Sequence, residues 1–141
     1  MKIVLFGIFL ALIKLSTFQD TSRLELVIQN TKSNKGTIQV LIFNSETGFP
    51  DEPKKAFKAF SLPITDLSAK KTIDNLPPGK YAISVFHDED SDGKIQKNGV
   101  GIPVDRFGFS NNPTIIFGPP SFSKSAFTVK NTPTKVLINL R

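Results

Sequence analysis

From Leu24 onward the apolar positions recur with a period of two. Leu24, Leu26 and Ile28 alternate with Glu25, Val27 and Gln29, the pattern of a strand with one buried face. Lys32-Ser33-Asn34-Lys35-Gly36 carries turn chemistry, and Thr37–Phe43 follows as a second, more apolar strand. Together the two predict a β-hairpin. Asn44–Pro53 reads as a polar loop. Ala56, Phe57, Ala59 and Phe60 lie at near-helical spacing and predict one short helical turn within Lys54–Phe60. Thr72–Leu76 predicts a short strand, ended by Pro77-Pro78-Gly79, where proline presets φ and glycine allows the reversal. In the next strand Tyr81, Ile83, Val85 and His87 point one way, and Ala82, Ser84, Phe86 and Asp88 the other. A long connection over Asn98–Ser123, rich in Gly, Pro, Asn and Phe, comes next. Phe107, Phe109, Ile115, Ile116, Phe117 and Phe122 are expected to pack it. Ser125–Lys130 and Lys135–Leu140 read as the last two strands. Short strands, regular turns and almost no helix predict an all-β fold, an antiparallel β-sandwich of about seven strands.

The first residues break this pattern. Met1-Lys2 precedes an unbroken apolar run, Ile3–Ile13, with the length of a signal-peptide core and too short to span a bilayer, which takes about twenty residues. Residues 1–19 are therefore expected to be a cleaved signal peptide, and residues 20–141 a single β-sandwich domain with no transmembrane segment. The net charge is +6, and loss of Lys2 and Lys14 leaves +4. Lys54, Lys55 and Lys58 form the densest basic cluster, without the aromatic interleaving of a nucleic-acid surface, so no nucleic-acid partner is expected. The absence of cysteine excludes disulfides, thiolate zinc sites, thiol nucleophiles and a lipidated cysteine.

One stretch carries chemistry in its spacing, His87-Asp88-Glu89-Asp90-Ser91-Asp92-Gly93-Lys94-Ile95. Asp88, Asp90 and Asp92 alternate, the Lys94 carbonyl can add an oxygen, and Gly93 permits a sharp turn. This is the first half of a Ca²⁺ loop. The twelfth position is Gly99 instead of a bidentate Glu, which excludes an EF-hand. A further ligand must come from elsewhere, and Asp105, Glu89 and Asn98 are the candidates. The competing reading is an acidic turn whose aspartates accept neighbouring backbone amides. His87, the only histidine, is a weak candidate for a general base oriented by Asp88 or Asp105; the alternative is a strand-end histidine bonded to backbone. Ser110 and Ser121 lie outside any Gly-x-Ser-x-Gly elbow. Phe107–Asn112 is either an aromatic-and-amide ligand surface or loop packing with Asn in turn positions.

Leu76-Pro77-Pro78-Gly79-Lys80-Tyr81 through Asp88 resembles a stretch found in transthyretin-like (prealbumin-like) sandwich modules. His87-Asp88-Glu89-Asp90, Gly101-Ile102-Pro103, Phe107–Asn112 and Gly118-Pro119-Pro120-Ser121-Phe122, in that order, resemble the bacterial domain-of-unknown-function family 2141 over about residues 22–140. Gln96 stands where that pattern often has Asp, and Asp105 where Glu is usual. The resemblance implies a small exported protein of a kind common in Gram-negative bacteria, with a transthyretin-like or immunoglobulin-like sandwich, and carries no reaction with it. The expected function is therefore a non-enzymatic binding or structural module of the cell envelope, periplasmic, outer-envelope or extracellular. Its partner would be an envelope protein, a peptide or a glycan, and Ca²⁺ its only expected cofactor. A small secreted hydrolase using His87 with Asp88 or Asp105 is the alternative.

Overall fold

The computed structural model describes residues 22–141, and the expected signal peptide lies outside them. The strands are β1 (Arg23–Gln29), β2 (Thr37–Phe43), β3 (Lys58–Pro63), β4 (Ser68–Asp74), β5 (Gly79–Asp88), β6 (Phe107–Phe109), β7 (Phe127–Val129) and β8 (Pro133–Asn139). One short helix, α1 (Phe122–Ser125), and a 3-10 turn at Pro53–Lys55 complete the elements. The fold is all-β. One sheet runs β4-β1-β8; the other runs β3-β2-β5-β6, with β7 also paired to β5. Leu24, Leu26 and Ile28 of the first sheet meet Ile38, Val40, Ile42, Ile83 and Val85 of the second in one buried core. Each such side chain contributes about 1.5–3 kcal/mol on burial, so this layer dominates the stability.

Several expectations change. β1 and β2 belong to different sheets and do not form a hairpin. In a hairpin their apolar triplets would lie side by side on one face; here they face each other, and Lys32–Gly36 carries the chain between layers. The sandwich is not wholly antiparallel, because β1 and β8 pair in parallel, with Leu24 opposite Thr134 and Ile28 opposite Ile138. The first and last strands lie together, and the chain between them is the crossover that a parallel pair needs. Eight strands are present among the described residues, against about seven expected. β3 stands where a helical turn was expected, and β6, three residues long, is too short to show alternation within the long connection. The helical turn shrinks to Pro53–Lys55, while Phe60 enters β3 opposite Val40.

The Pro-Pro-Gly reversal is closed by Tyr81, whose hydroxyl donates to the Pro77 carbonyl at 2.6 Å, as in the tyrosine corner of β-sandwiches. Burial pushes the Tyr81 phenol up from its ordinary value, which keeps it a neutral donor. The outer face of the second sheet carries a smaller aromatic layer. The Phe49 ring centroid lies 5.4 Å from Phe43, 6.1 Å from Phe109 and 5.9 Å from Phe122. Edge-on rings at these separations pack favourably beyond their buried area, which gives the abundant phenylalanines a place outside the main core.

Of the apolar residues expected to pack the long connection, Phe107 and Phe109 form β6 and Phe122 opens α1. Ile116 and Phe117 do not pack; they are 78% and 94% exposed. The chain is anchored at Asn112 and at Phe122; between these anchors Ile115 is half-buried, while Ile116 and Phe117 are left in solvent. Beside β6 the sheets join. Phe107 and Arg141 exchange both backbone hydrogen bonds, at 3.1 and 3.0 Å. A Cβ on Gly108 would come within 2.6 Å of the Ile138 Cγ2 atom, so only glycine allows β6 this close to β8.

Candidate functional site

β5 delivers His87 and Asp88 to opposite faces of the second sheet, and each is only 1% exposed. Asp88 lies on the outer face, held by a polar relay across the strands. Ser61 Oγ donates to Gln39 Oε1 at 2.7 Å, and Gln39 Nε2 donates to Asp88 Oδ2 at 3.0 Å. The loop then folds back over the same carboxylate. Gly93 N–H reaches Oδ2 at 2.8 Å and Asp92 N–H reaches Oδ1 at 3.2 Å. Positive φ at Ser91 (55°) and Gly93 (77°) makes the turn. Asp90 and Asp92 stand exposed at its rim.

The carboxylates of Asp88, Asp90 and Asp92 converge, with one oxygen from each lying within 4.8 Å of the others. Oxygens on opposite sides of one Ca²⁺ are separated by about 4.6–5.2 Å, twice the usual Ca–O distance, so the three can share an ion. Among the described residues no lysine or arginine pairs with any of them. Burial alone would raise the Asp88 pKa, but hydrogen bonds from Gln39, Gly93 N–H, Asp90 and Asp92 N–H outweigh it. The net effect holds the carboxyl below the ordinary aspartate value. Asp90 moves the other way. Its hydrogen bond to Asp88 pushes it up, with desolvation and the charges of Asp92 and Asp88 adding. The loop has two ways to relieve three converging acids, a retained proton or a bound cation.

The other predicted residues are placed as follows. Lys94 N–H donates to Asp92 Oδ1 at 2.8 Å. Asp105 is not in the converging set and accepts from Gln96 N–H at 2.7 Å. Glu89 faces Lys32 Nζ at 3.6 Å. Asn98 Oδ1 accepts from Val100 and Ile102 N–H, both at 3.0 Å, and shapes its own turn. Gln96 Nε2 donates to Asp90 Oδ2 at 2.8 Å. An amide donor therefore sits where a fourth acid would have faced the cluster.

His87 has both ring nitrogens occupied by backbone. Lys32 N–H donates to Nδ1 at 3.2 Å, and Nε2–H donates to the Lys35 carbonyl at 2.7 Å. The hydrogen bonds assign a neutral Nε2–H tautomer, so the lone pair a general base requires is already in use. Ser110, wholly buried, accepts from Ile83 N–H at 2.9 Å and donates to the Ser125 carbonyl; it knits β5 to α1. In the Phe107–Asn112 segment, Asn111 Nδ2 donates to the Ala126 carbonyl at 2.7 Å. Asn112 spans the outer edge of β8, donating to Leu137 O at 2.9 Å and accepting from Asn139 N–H at 2.8 Å. The two asparagines sit at φ of 66° and 44°, which asparagine tolerates better than most residues. They act as turn residues and backbone clasps.

Sequence reasoning passed over the Gln39–Ser61 relay. Its signal was a polar Gln39 amid the apolar β2, alternating with the core positions Ile38 and Val40.

Over residues 26–137 the chain matches the family described as "Uncharacterized protein conserved in bacteria (DUF2141)". It belongs to that family. The match takes in the converging aspartates and the Asn111–Asn112 clasp, so both lie within the unit that defines DUF2141. No curated protein and no solved structure matches the chain. Among the described residues no helix is long and apolar enough to cross a membrane.

Proposed function

We propose that this DUF2141 protein is an exported, non-enzymatic binding or structural module of the bacterial envelope. In this reading it is built on a transthyretin-like sandwich, and its Asp88–Asp92 loop is stabilised by Ca²⁺. The observation that carries the calcium reading is the convergence of three carboxylates within 4.8 Å, with no basic side chain paired to them. Hard oxygen donors of that number and spacing suit Ca²⁺, with water completing the shell. The Gln39 and Gly93 hydrogen bonds hold Asp88 in place before any ion arrives, the kind of outer-shell support that orients ligating carboxylates. Export rests on the Lys2 charge and the Ile3–Ile13 apolar run. The hydrolase reading finds no support in a buried histidine bonded to backbone on both sides.

Calorimetric titration with Ca²⁺, with Mg²⁺ as control, tests the loop. A single site of modest affinity for Ca²⁺ and weaker for Mg²⁺ is expected. Gln96→Asp should tighten it, because a donor amide gives way to a fourth carboxylate beside Asp90. No heat with either ion, or unchanged affinity in Gln96→Asp, contradicts the reading. Fractionation of cells expressing the full chain tests export; retention in the cytoplasm contradicts it.

A further inference from the structure

The side of the sandwich opposite the β6–β8 junction is open. β3 ends one sheet and β4 ends the other. Between them lies a cleft of about 390 Å³, lined by Lys58, Ala59 and Phe60 from one edge and Lys71, Thr72 and Ile73 from the other. Three consecutive residues from each strand line it, so backbone groups face the space along with side chains. The strand register points both lysines inward. Lys58 is in phase with Phe60 and Leu62, opposite Ile42 of β2, and Lys71 is in phase with Ala69 and Ile73, opposite Leu26 of β1. The floor is apolar: Ile73 is buried, and Phe60 packs against the core.

Two cations therefore line an apolar slot. Lys71 Nζ lies 5.6 Å from the Phe60 ring centroid, and Lys58 Nζ lies 5.7 Å from that of Phe57. Among the described residues neither has a carboxylate partner. An aromatic face is a weak substitute for a full counter-charge. Inward-pointing lysines blunt a free edge against pairing with a copy of itself, since a second copy brings the same charges. The same lysines favour a strand that carries acids.

The geometry points to an extended, acidic segment of another protein as the occupant. It adds as a strand to the free edge of β3 or β4 and sets its carboxylates against Lys58 and Lys71. Main-chain hydrogen bonds supply affinity in this mode, and alternate side chains supply selectivity. A glycan is the poorer fit, because Lys71 covers the one ring in the slot. The inference rests on the binding-module reading and is independent of the calcium loop.

Titration of isotope-labelled protein with a capped peptide alternating valine and aspartate tests it, in Ca²⁺ and in chelator. Amide shifts confined to β3, β4 and their neighbours are expected, with none from the matching valine–lysine peptide. Lys58→Glu with Lys71→Glu should weaken binding by about tenfold or more at unchanged melting temperature. The milder Lys58→Gln, Lys71→Gln pair serves if charge reversal unfolds the protein. N-methylation of alternate peptide amides should abolish binding. Absent shifts, equal binding of the N-methylated peptide, or binding of anionic lipid vesicles in its place would overturn the proposal. Loss of peptide binding while Ca²⁺ still raises stability overturns the cleft alone; peptide binding without Ca²⁺ stabilisation overturns the loop alone.

Discussion

The Asp88–Asp92 loop and the Phe107–Asn112 segment look alike in sequence. Each is a short polar cluster with glycine beside it, and each suggests a ligand. In the structure they differ in where their polar atoms end. Ser110, Asn111 and Asn112 bond to backbone on β5, β8 and the stretch around α1. Asp90 and Asp92 bond within their own loop and leave carboxylate oxygens gathered at one point. A polar side chain tied to a distant strand is part of the fold, whereas one tied to its own loop, with charge left over, is available to a solute.

The largest effect should come where the acidic loop touches the rest of the fold through backbone. Gly36 has a φ of 71°, and a Cβ there would overlap the Asp88 carbonyl oxygen. Gly36→Ala should cost about 3–5 kcal/mol, from left-handed strain plus overpacking against main chain. A loss below 1 kcal/mol by chemical denaturation would show that the loop base tolerates movement. In the clasp, Ser110→Ala should cost about 2–4 kcal/mol, since it leaves Ile83 N–H and the Ser125 carbonyl buried without that partner. Asn112→Ala, nearer solvent, should cost about 1–2 kcal/mol. Neither loss should depend on Ca²⁺, and a Ca²⁺-dependent loss would erase the distinction between the two regions.

Asp90→Asn sharpens the comparison by changing sign. In chelator it should melt at or slightly above the parent protein, because it removes a carboxylate whose ionisation Asp88 opposes. In Ca²⁺ it should melt below the parent, because it removes a ligand. The same sign in both conditions would contradict the site.

The smallest effect is the pH dependence of Asp88 in chelator. Its carboxyl is held below the ordinary value of about 3.9 by hydrogen bonds that outweigh burial. Its contribution is therefore complete above that value and is lost as pH falls through the lowered native value. The stability gap between the parent and Asp88→Asn should narrow only in that acid range. Asp90, shifted upward, works in the opposite direction, favouring the fold at low pH and losing that contribution as pH rises through its native value.

The core was legible because period-two alternation gives away the strands that line it: Leu24–Ile28, Ile38–Ile42 and Tyr81–His87 all bury the expected face. β4, by contrast, was expected only over Thr72–Leu76 and runs from Ser68 to Asp74, with Lys70-Lys71-Thr72 masking its alternation. Partnership was not legible. A half-buried strand looks the same whether its neighbour in sequence lies beside it or across the core, so the expected hairpin of β1 and β2 became two layers. The converging aspartates could be read from their spacing, because alternate residues of a tight turn point to one side. The role of His87 could not, since both its partners are backbone groups of the Lys32–Gly36 connection, and backbone leaves no mark in composition. The inward lysines of the open edge were readable in principle, since Lys71 is in phase with Ala69 and Ile73.

Thermal unfolding of the purified protein, in saturating Ca²⁺ and in chelator, tests the central claim most directly. A ligand bound only by the folded state at a hundred times its Kd adds about 2.7 kcal/mol. For a protein of this size that is a rise of about 5–10 °C, absent from an Asp90→Ala, Asp92→Ala variant. Equal melting temperatures for the parent protein in Ca²⁺ and in chelator would contradict the account.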